Sequence, residues 1–149
     1  MRTIPKIVAA LVLAFSVVAH AAGTKDEAKA FVKQAVADFK AEGDAVFAKI
    51  TAKDPKYAKD DLYVMVYDMT GKCVAHGANP KQVGKDLIGL KDPDGKEFVK
   101  ERIEIAKTKG SGWQEYKFSN PVTKKIEPKV AYLEKVGEYI FLCGAYNAK

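Results

Sequence analysis

Two strand-like segments near the C-terminus carry side chains that could bind an anion. The stretch GWQEYKFSNPVTKKIEPKVAYLEKV, residues 112–136, contains Trp113, Tyr116, Lys129 and Tyr132. Lysine provides a positive charge, and indole and phenol groups can donate hydrogen bonds. Lys129 follows a proline, which suits the first residue of a strand, so its long side chain could curl over the mouth of a pocket. The pattern leaves two interpretations of Lys129, an anion ligand or a solvated surface charge.

Strand geometry limits how these residues can combine. Side chains alternate between the two faces of a strand, so Lys129 and Tyr132 do not share a face if the strand is unbroken. A β-bulge, or a position of Lys129 at the mouth of the pocket, would be needed to bring them together. Core packing is the alternative role for each aromatic residue.

Enzymatic and metal chemistry find little support in the sequence. Ser111 lies in KGSGW, which is not a nucleophile elbow. His76 is the only histidine after residue 20, so a catalytic triad or a multi-histidine metal site lacks components. The sequence DPDG resembles the start of a calcium loop but lacks the later ligands at twelve-residue spacing. We expect no enzyme activity, no metal and no cofactor.

The N-terminal sequence predicts export. MRTIPK is basic, IVAALVLAFSVVA is an uninterrupted apolar run, and Ala19-His20-Ala21 fits a small-x-small cleavage site. The run is shorter than the roughly 20 residues that span a bilayer, so residues 1–21 are interpreted as a cleaved signal peptide rather than a retained anchor. We expect the mature chain, residues 22–149, to be a soluble periplasmic protein.

The charge of the mature chain argues against nucleic-acid binding. Removal of Arg2 and Lys6 reduces the 25 basic residues to 23 against 19 acidic residues, a net charge of +4. The lysines alternate with acidic residues along the predicted helices, which favours a solvated surface.

The mature chain has the pattern of one α+β domain. Thr24 and Glu27 stand at capping-box spacing before a long amphipathic helix, which Gly43 either kinks or divides into two. A β-hairpin, LYVMVYD-MTGK-CVAHG, follows, then a helical segment that ends near Gly110. GWQEYKF, KVAYLEKV and EYIFLCGAY complete the chain as three further strands.

This order of elements resembles the single-Cache family of PAS-like extracytoplasmic sensor domains. The resemblance covers roughly residues 25–147 and is carried by YVMVYDMTGKCVAHGANPKQVGKDLIGLKDPDGKEFVKE together with GWQEYKFSNPVTKKIEPKVAYLEKV. It implies a five-stranded antiparallel sheet of order 2-1-5-4-3. The long N-terminal helix would cover one face, and the helical segment between strands two and three would roof a ligand pocket on the other.

The same resemblance implies binding of a small molecule, often a short organic acid such as acetate, propionate or pyruvate. Such an acid has too little apolar surface to bind by burial alone, so its pocket must supply charge and hydrogen-bond donors. Lys129 would supply the charge, and the candidate donors are Tyr116, Tyr132, Trp113 and His76. A ligand-free interaction module is the alternative function.

The domain would need a partner to signal. Cache domains belong to membrane receptors and histidine kinases, whereas this chain ends at Lys149 without a second apolar segment or a signalling module. We therefore interpret it as a free-standing member of the family that acts through a membrane receptor or a histidine kinase.

Export generates the first testable prediction. Protein recovered from the periplasmic fraction should have the intact mass of a chain that begins near Ala22 and carries no lipid, because no cysteine stands at the cleavage site. A mass that includes residues 1–21, or recovery only with membranes, would contradict the prediction.

Overall fold

Residues 21–148, which the computed structural model describes, form three α-helices and one antiparallel sheet. The predicted signal peptide therefore lies outside the described residues except for Ala21. The helices are α1 (Lys25–Glu42), α2 (Ala45–Thr51) and α3 (Phe98–Lys109), with a short 3-10 helix at Pro80–Gln82. The strands are β1 (Ala58–Lys59), β2 (Leu62–Asp68), β3 (Cys73–His76), β4 (Ser111–Ser119), β5 (Ile126–Val136) and β6 (Tyr139–Tyr146).

The sheet has the order β1-β2-β6-β5-β4, and β3 also pairs with β2. Strands one to five of the prediction correspond to β2, β3, β4, β5 and β6, so the predicted order 2-1-5-4-3 is confirmed. The two-residue strand β1 was not predicted. It pairs antiparallel with the first residues of β2.

The N-terminal helical segment divides into two helices. Thr24 and Glu27 form the capping box that starts α1. Gly43 ends the helix with a φ of 65°, a conformation that favours glycine, and α2 begins at Ala45. Of the two alternatives at Gly43, the structure has the second helix.

The sheet is buried on both faces, which explains why β2 is apolar from Leu62 to Tyr67. We call these faces the α1 face and the α3 face. On the α1 face, Val64, Phe141 and Cys143 pack with residues of α1 and α2. On the α3 face, Met65 and Leu142 pack with residues of α3 and of the segment 77–97, which links β3 to α3.

The topology keeps the two cysteines apart. Cys73 on β3 and Cys143 on β6 pair with opposite edges of β2, and they belong to the cores of opposite faces. Both are buried and free, and burial raises the pKa of Cys73 to about 11 and of Cys143 to about 12. Neither thiol is therefore a reactive thiolate at neutral pH.

We predict that both thiols remain reduced even in an oxidising compartment. Purified monomer should take up two alkyl groups per chain when alkylated in denaturant without reductant, and react far more slowly when folded. Monomer in which no thiol reacts under denaturing conditions would mean that this strand order is wrong.

Candidate functional site

Lys129 projects from β5 into the core of the α3 face. Its side chain is 1% exposed, so it is not a surface charge. Its Nζ donates a hydrogen bond of 2.9 Å to the Tyr63 hydroxyl and lies 4.8 Å from the centre of the Tyr146 ring. The lysine therefore crosses the pocket side of the sheet, from β5 to β2, within a ring of aromatic side chains.

A chain of hydrogen bonds with a fixed direction holds the ammonium group. The Tyr146 hydroxyl donates to the carbonyl oxygen of Ser119 at 2.7 Å, and the Tyr63 and Tyr146 hydroxyls are 2.9 Å apart. Since the proton of Tyr146 is used on Ser119, Tyr63 donates to Tyr146 and accepts from Lys129. The other two ammonium protons of Lys129 have no acceptor among residues 21–148.

Arg102 brings a second buried cation to the same face. It is 0% exposed, and its Nε donates to the Gln114 side-chain oxygen at 3.3 Å. Both terminal nitrogens, Nη1 and Nη2, are buried without a hydrogen-bond partner in the described part of the chain. The guanidinium carbon lies 4.6 Å from the centre of the Tyr67 ring. A buried charge without its full set of partners is costly, so the two terminal nitrogens are candidate hydrogen-bond donors to a ligand.

The aromatic ring of Tyr116 lies near both cations. The centre of its ring lies 6.0 Å from Lys129 Nζ and 5.4 Å from the Arg102 guanidinium carbon. The ring stacks on Phe98 of α3 with centres 4.8 Å apart, which fixes its position. No salt bridge within residues 21–148 involves either cation.

Burial changes the charge states of the site. Desolvation lowers the pKa of Lys129 to about 7, and the positive charge of Arg102 lowers it further against the opposing effects of Cys143 and Asp61. Desolvation, followed by the charge of Lys129, lowers the pKa of His76 to about 3. At neutral pH the imidazole is therefore neutral, and the lysine is partly deprotonated.

His76 lies beside Tyr63 and is buried. Its Nδ1 accepts hydrogen bonds from the backbone N–H groups of Ala78 at 3.2 Å and Asn79 at 2.9 Å, so the proton of the neutral ring is assigned to Nε2. The ring stacks on Tyr63 with centres 5.2 Å apart. Both line a cavity of about 340 Å³ whose other walls are Ala78, Asn79, Gln82, Phe118, Ser119, Pro121 and Lys124.

Trp113 and Tyr132 do not join this site. They lie on the α1 face with their ring centres 5.3 Å apart, and Lys25 and Lys29 of α1 cover them. The pairing of β5 with β6 is continuous from Lys129 to Val136, so no bulge turns Tyr132 toward Lys129. Of the five predicted residues, the structure brings together Lys129, Tyr116 and His76.

Arg102, Tyr63 and Tyr146 belong to the site but were not among the predicted residues. Arg102 had a signal in the sequence, because it falls on the apolar stripe of α3, three residues after Val99 and four before Ala106. A charged residue on an otherwise apolar stripe indicates a buried charge. The two tyrosines lie in apolar strands and gave no comparable signal.

The chain belongs to the single Cache family. The family model described as Single Cache domain 2 matches residues 14–146. The chain is 32% identical over 123 residues to the sensor histidine kinase MctS of Rhizobium johnstonii, covering 83% of this chain and 23% of the kinase. It is 28% identical over 90 residues to the methyl-accepting chemotaxis protein McpP of Pseudomonas putida, covering 60% of this chain and 16% of that protein. The chain thus spans less than a quarter of the length of either relative.

Solved structures share the fold. A methyl-accepting chemotaxis protein from Vibrio parahaemolyticus matches with a TM-score of 0.71 and 23% identity, over 82% of this chain and 87% of that one. A Cache chemosensory domain, described for its carboxylic acid recognition, matches with a TM-score of 0.70 and 22% identity, over 82% and 92% of the two chains. Within residues 21–148, no helix is long and apolar enough to cross a membrane. The protein is a Cache sensor domain with an α+β, PAS-like fold.

Proposed function

We propose that this domain is an exported sensor that binds a short organic acid between Lys129 and Arg102. The observation that carries the proposal is the pair of buried cations on the α3 face, neither of which has a carboxylate partner in the described residues. Acetate, propionate and pyruvate are the candidate ligands.

A carboxylate suits the unused donors. Arg102 offers two terminal nitrogens, a planar arrangement that matches the two oxygens of a carboxylate, and Lys129 offers two further protons. The ring of Tyr116, which lies near both cations, and the ring of Phe118, near Lys129, provide apolar surface for the short carbon chain of the acid. Charge and hydrogen bonds would supply most of the affinity, since so small a ligand buries little area.

The cavity beside His76 is the proposed route to the site. Tyr63 lines this cavity and also holds the ammonium group of Lys129, so the two are adjacent. Asn79 and Gln82, which belong to the segment 77–97, form part of its wall. Movement of this segment would admit the acid, and its return would exclude water and strengthen the ionic hydrogen bonds.

The relatives support a sensory role with a partner. One is a sensor histidine kinase, another a chemotaxis protein, and a domain of the same fold is described for carboxylic acid recognition. We propose that this domain acts in the periplasm and passes its bound or empty state to a membrane receptor or histidine kinase. Binding of a ligand, and not catalysis, would be its activity.

Lys129→Met tests the proposed site. The variant keeps most of the side-chain volume and removes the charge, so the loss of a charged hydrogen bond of about 1.5–3 kcal/mol should weaken acid binding roughly 10- to 150-fold. The free domain should be at least as stable as the parent, because an unpaired buried charge is removed. Titration calorimetry with acetate, propionate and pyruvate measures the first effect, and thermal unfolding the second.

Lys135→Met is the matched control. Lys135 lies on the same strand but is partly exposed, and its Nζ bonds to the carbonyl oxygen of Gly137. The affinity of the Lys135→Met variant for the acid should stay within about twofold of that of the parent. Equal binding by Lys129→Met and the parent would exclude the anion site, and a parent that binds no small acid would favour the ligand-free interaction module.

The acid should bind together with a proton. The pKa of Lys129 is about 7 without an anion, and a bound carboxylate would raise it because opposite charges favour the ionised form. Affinity should therefore be nearly constant below about pH 7 and fall by up to about tenfold per pH unit above it. Calorimetry at pH 8 in phosphate and in Tris, which differ in ionisation enthalpy, should show net proton uptake on binding. An affinity that does not change from pH 7 to 9 would show that Lys129 is already fully charged in the empty site.

A further inference from the structure

Lys129 reaches its hydrogen-bond partner by crossing a neighbouring strand. It starts on β5 and its Nζ bonds to Tyr63 on β2, and β6 lies between these strands. Two strand spacings amount to roughly 9–10 Å. The lysine stem must therefore lie flat across β6, where an ordinary inward-facing side chain would occupy the same space.

Gly144 is the residue beneath the stem. It pairs with Ala131 in the register between β5 and β6. A Cβ atom built on Gly144 would lie 2.5 Å from Cε and 2.9 Å from Cγ of Lys129, and 3.0 Å from Cβ of Ala131. The first two distances are well inside van der Waals contact, and the end of the lysine stem is not free to move aside because its Nζ is bonded to Tyr63.

The backbone gives no other reason for glycine at this position. Gly144 is not among the described glycines with positive φ, so an alanine could adopt its conformation. Glycine inside a strand weakens it, and often marks a close approach of another group. Leu142 and Tyr146, two residues away on each side, belong to the core of the same face and form the walls of a groove over Gly144.

We infer that Gly144 is a positioning residue for the anion site, because its missing side chain leaves the groove through which Lys129 reaches Tyr63. An alanine at this position would push the lysine stem away from the sheet and separate the ammonium group from the Tyr63–Tyr146–Ser119 chain. The consequence for acid binding rests on the proposed function, whereas the consequence for stability does not.

A double-mutant cycle separates these consequences. The four proteins are the parent, Gly144→Ala, Lys129→Ala and the double variant, and Lys129→Ala removes the stem that the new methyl group would meet. In the parent background, Gly144→Ala should lower the unfolding midpoint by about 5 °C through overpacking. In the Lys129→Ala background the same substitution should have less than about a third of that effect, or raise the midpoint, because it replaces a strand glycine.

Binding provides the second measurement. In titrations with sodium acetate, propionate and pyruvate, Gly144→Ala should lose about tenfold or more in affinity, and the double variant should bind no more weakly than Lys129→Ala. Lys135→Met is again the control, since Lys135 lies on β5 outside the site and its Nζ bonds to the carbonyl oxygen of Gly137. It should leave affinity and stability unchanged.

The outcomes test the role of Gly144 separately from the proposed acid binding. Equal loss of stability from Gly144→Ala in both backgrounds, or normal acid binding by Gly144→Ala, would overturn the inference. If Gly144→Ala does not fold, the double variant should recover folding, and a double variant that also fails to fold would show that Lys129 is not the obstacle. A parent that binds no acid would refute the proposed function, while the stability cycle would still decide the role of Gly144.

Discussion

An ammonium group without a counter-ion, held inside an aromatic pocket, is the constraint around which the α3 face is organised. The ammonium group donates one hydrogen bond to the Tyr63 hydroxyl. Tyr63 is bonded in turn to Tyr146, and Tyr146 to the backbone carbonyl oxygen of Ser119. The ammonium charge is not balanced, and the nearby guanidinium of Arg102 adds to the imbalance. A fold that retains two such groups loses stability that hydrophobic residues of similar size would provide, and the proposed binding of an anion would give them a function.

The two faces of the sheet differ in composition and in role. The α1 face is packed with aliphatic and aromatic side chains against α1 and α2, and it stabilises the domain. The α3 face carries the polar groups beneath a cover of one helix and the segment 77–97, in which only a short 3-10 helix is regular. Such irregular cover can rearrange at lower cost than a packed helix, so a ligand on this face has a structural means of altering the outer surface of the domain.

The elements along the chain and the long capped helix could be predicted, because apolar alternation, turn residues and the capping box are local signals. The order of the strands in the sheet followed only from the resemblance to the single-Cache family. The site was only partly predictable. The strand period correctly warned that Lys129 and Tyr132 point to opposite faces, but it could not tell which face held the pocket. Arg102 comes from a helix distant in sequence from Lys129. The role inferred for Gly144 depends on the side chain of Lys129, whose hydrogen-bond partner Tyr63 lies two strands away. Both therefore required the three-dimensional register.

The central claim is that one small carboxylate completes the pair of buried cations. A crystal structure of residues 22–149 grown with saturating propionate tests it most directly. The account predicts carboxylate oxygens about 3 Å from Lys129 Nζ and from a terminal nitrogen of Arg102, with the carbon chain against the ring of Tyr116. Propionate bound elsewhere, with both cations still without an acidic partner, would contradict it.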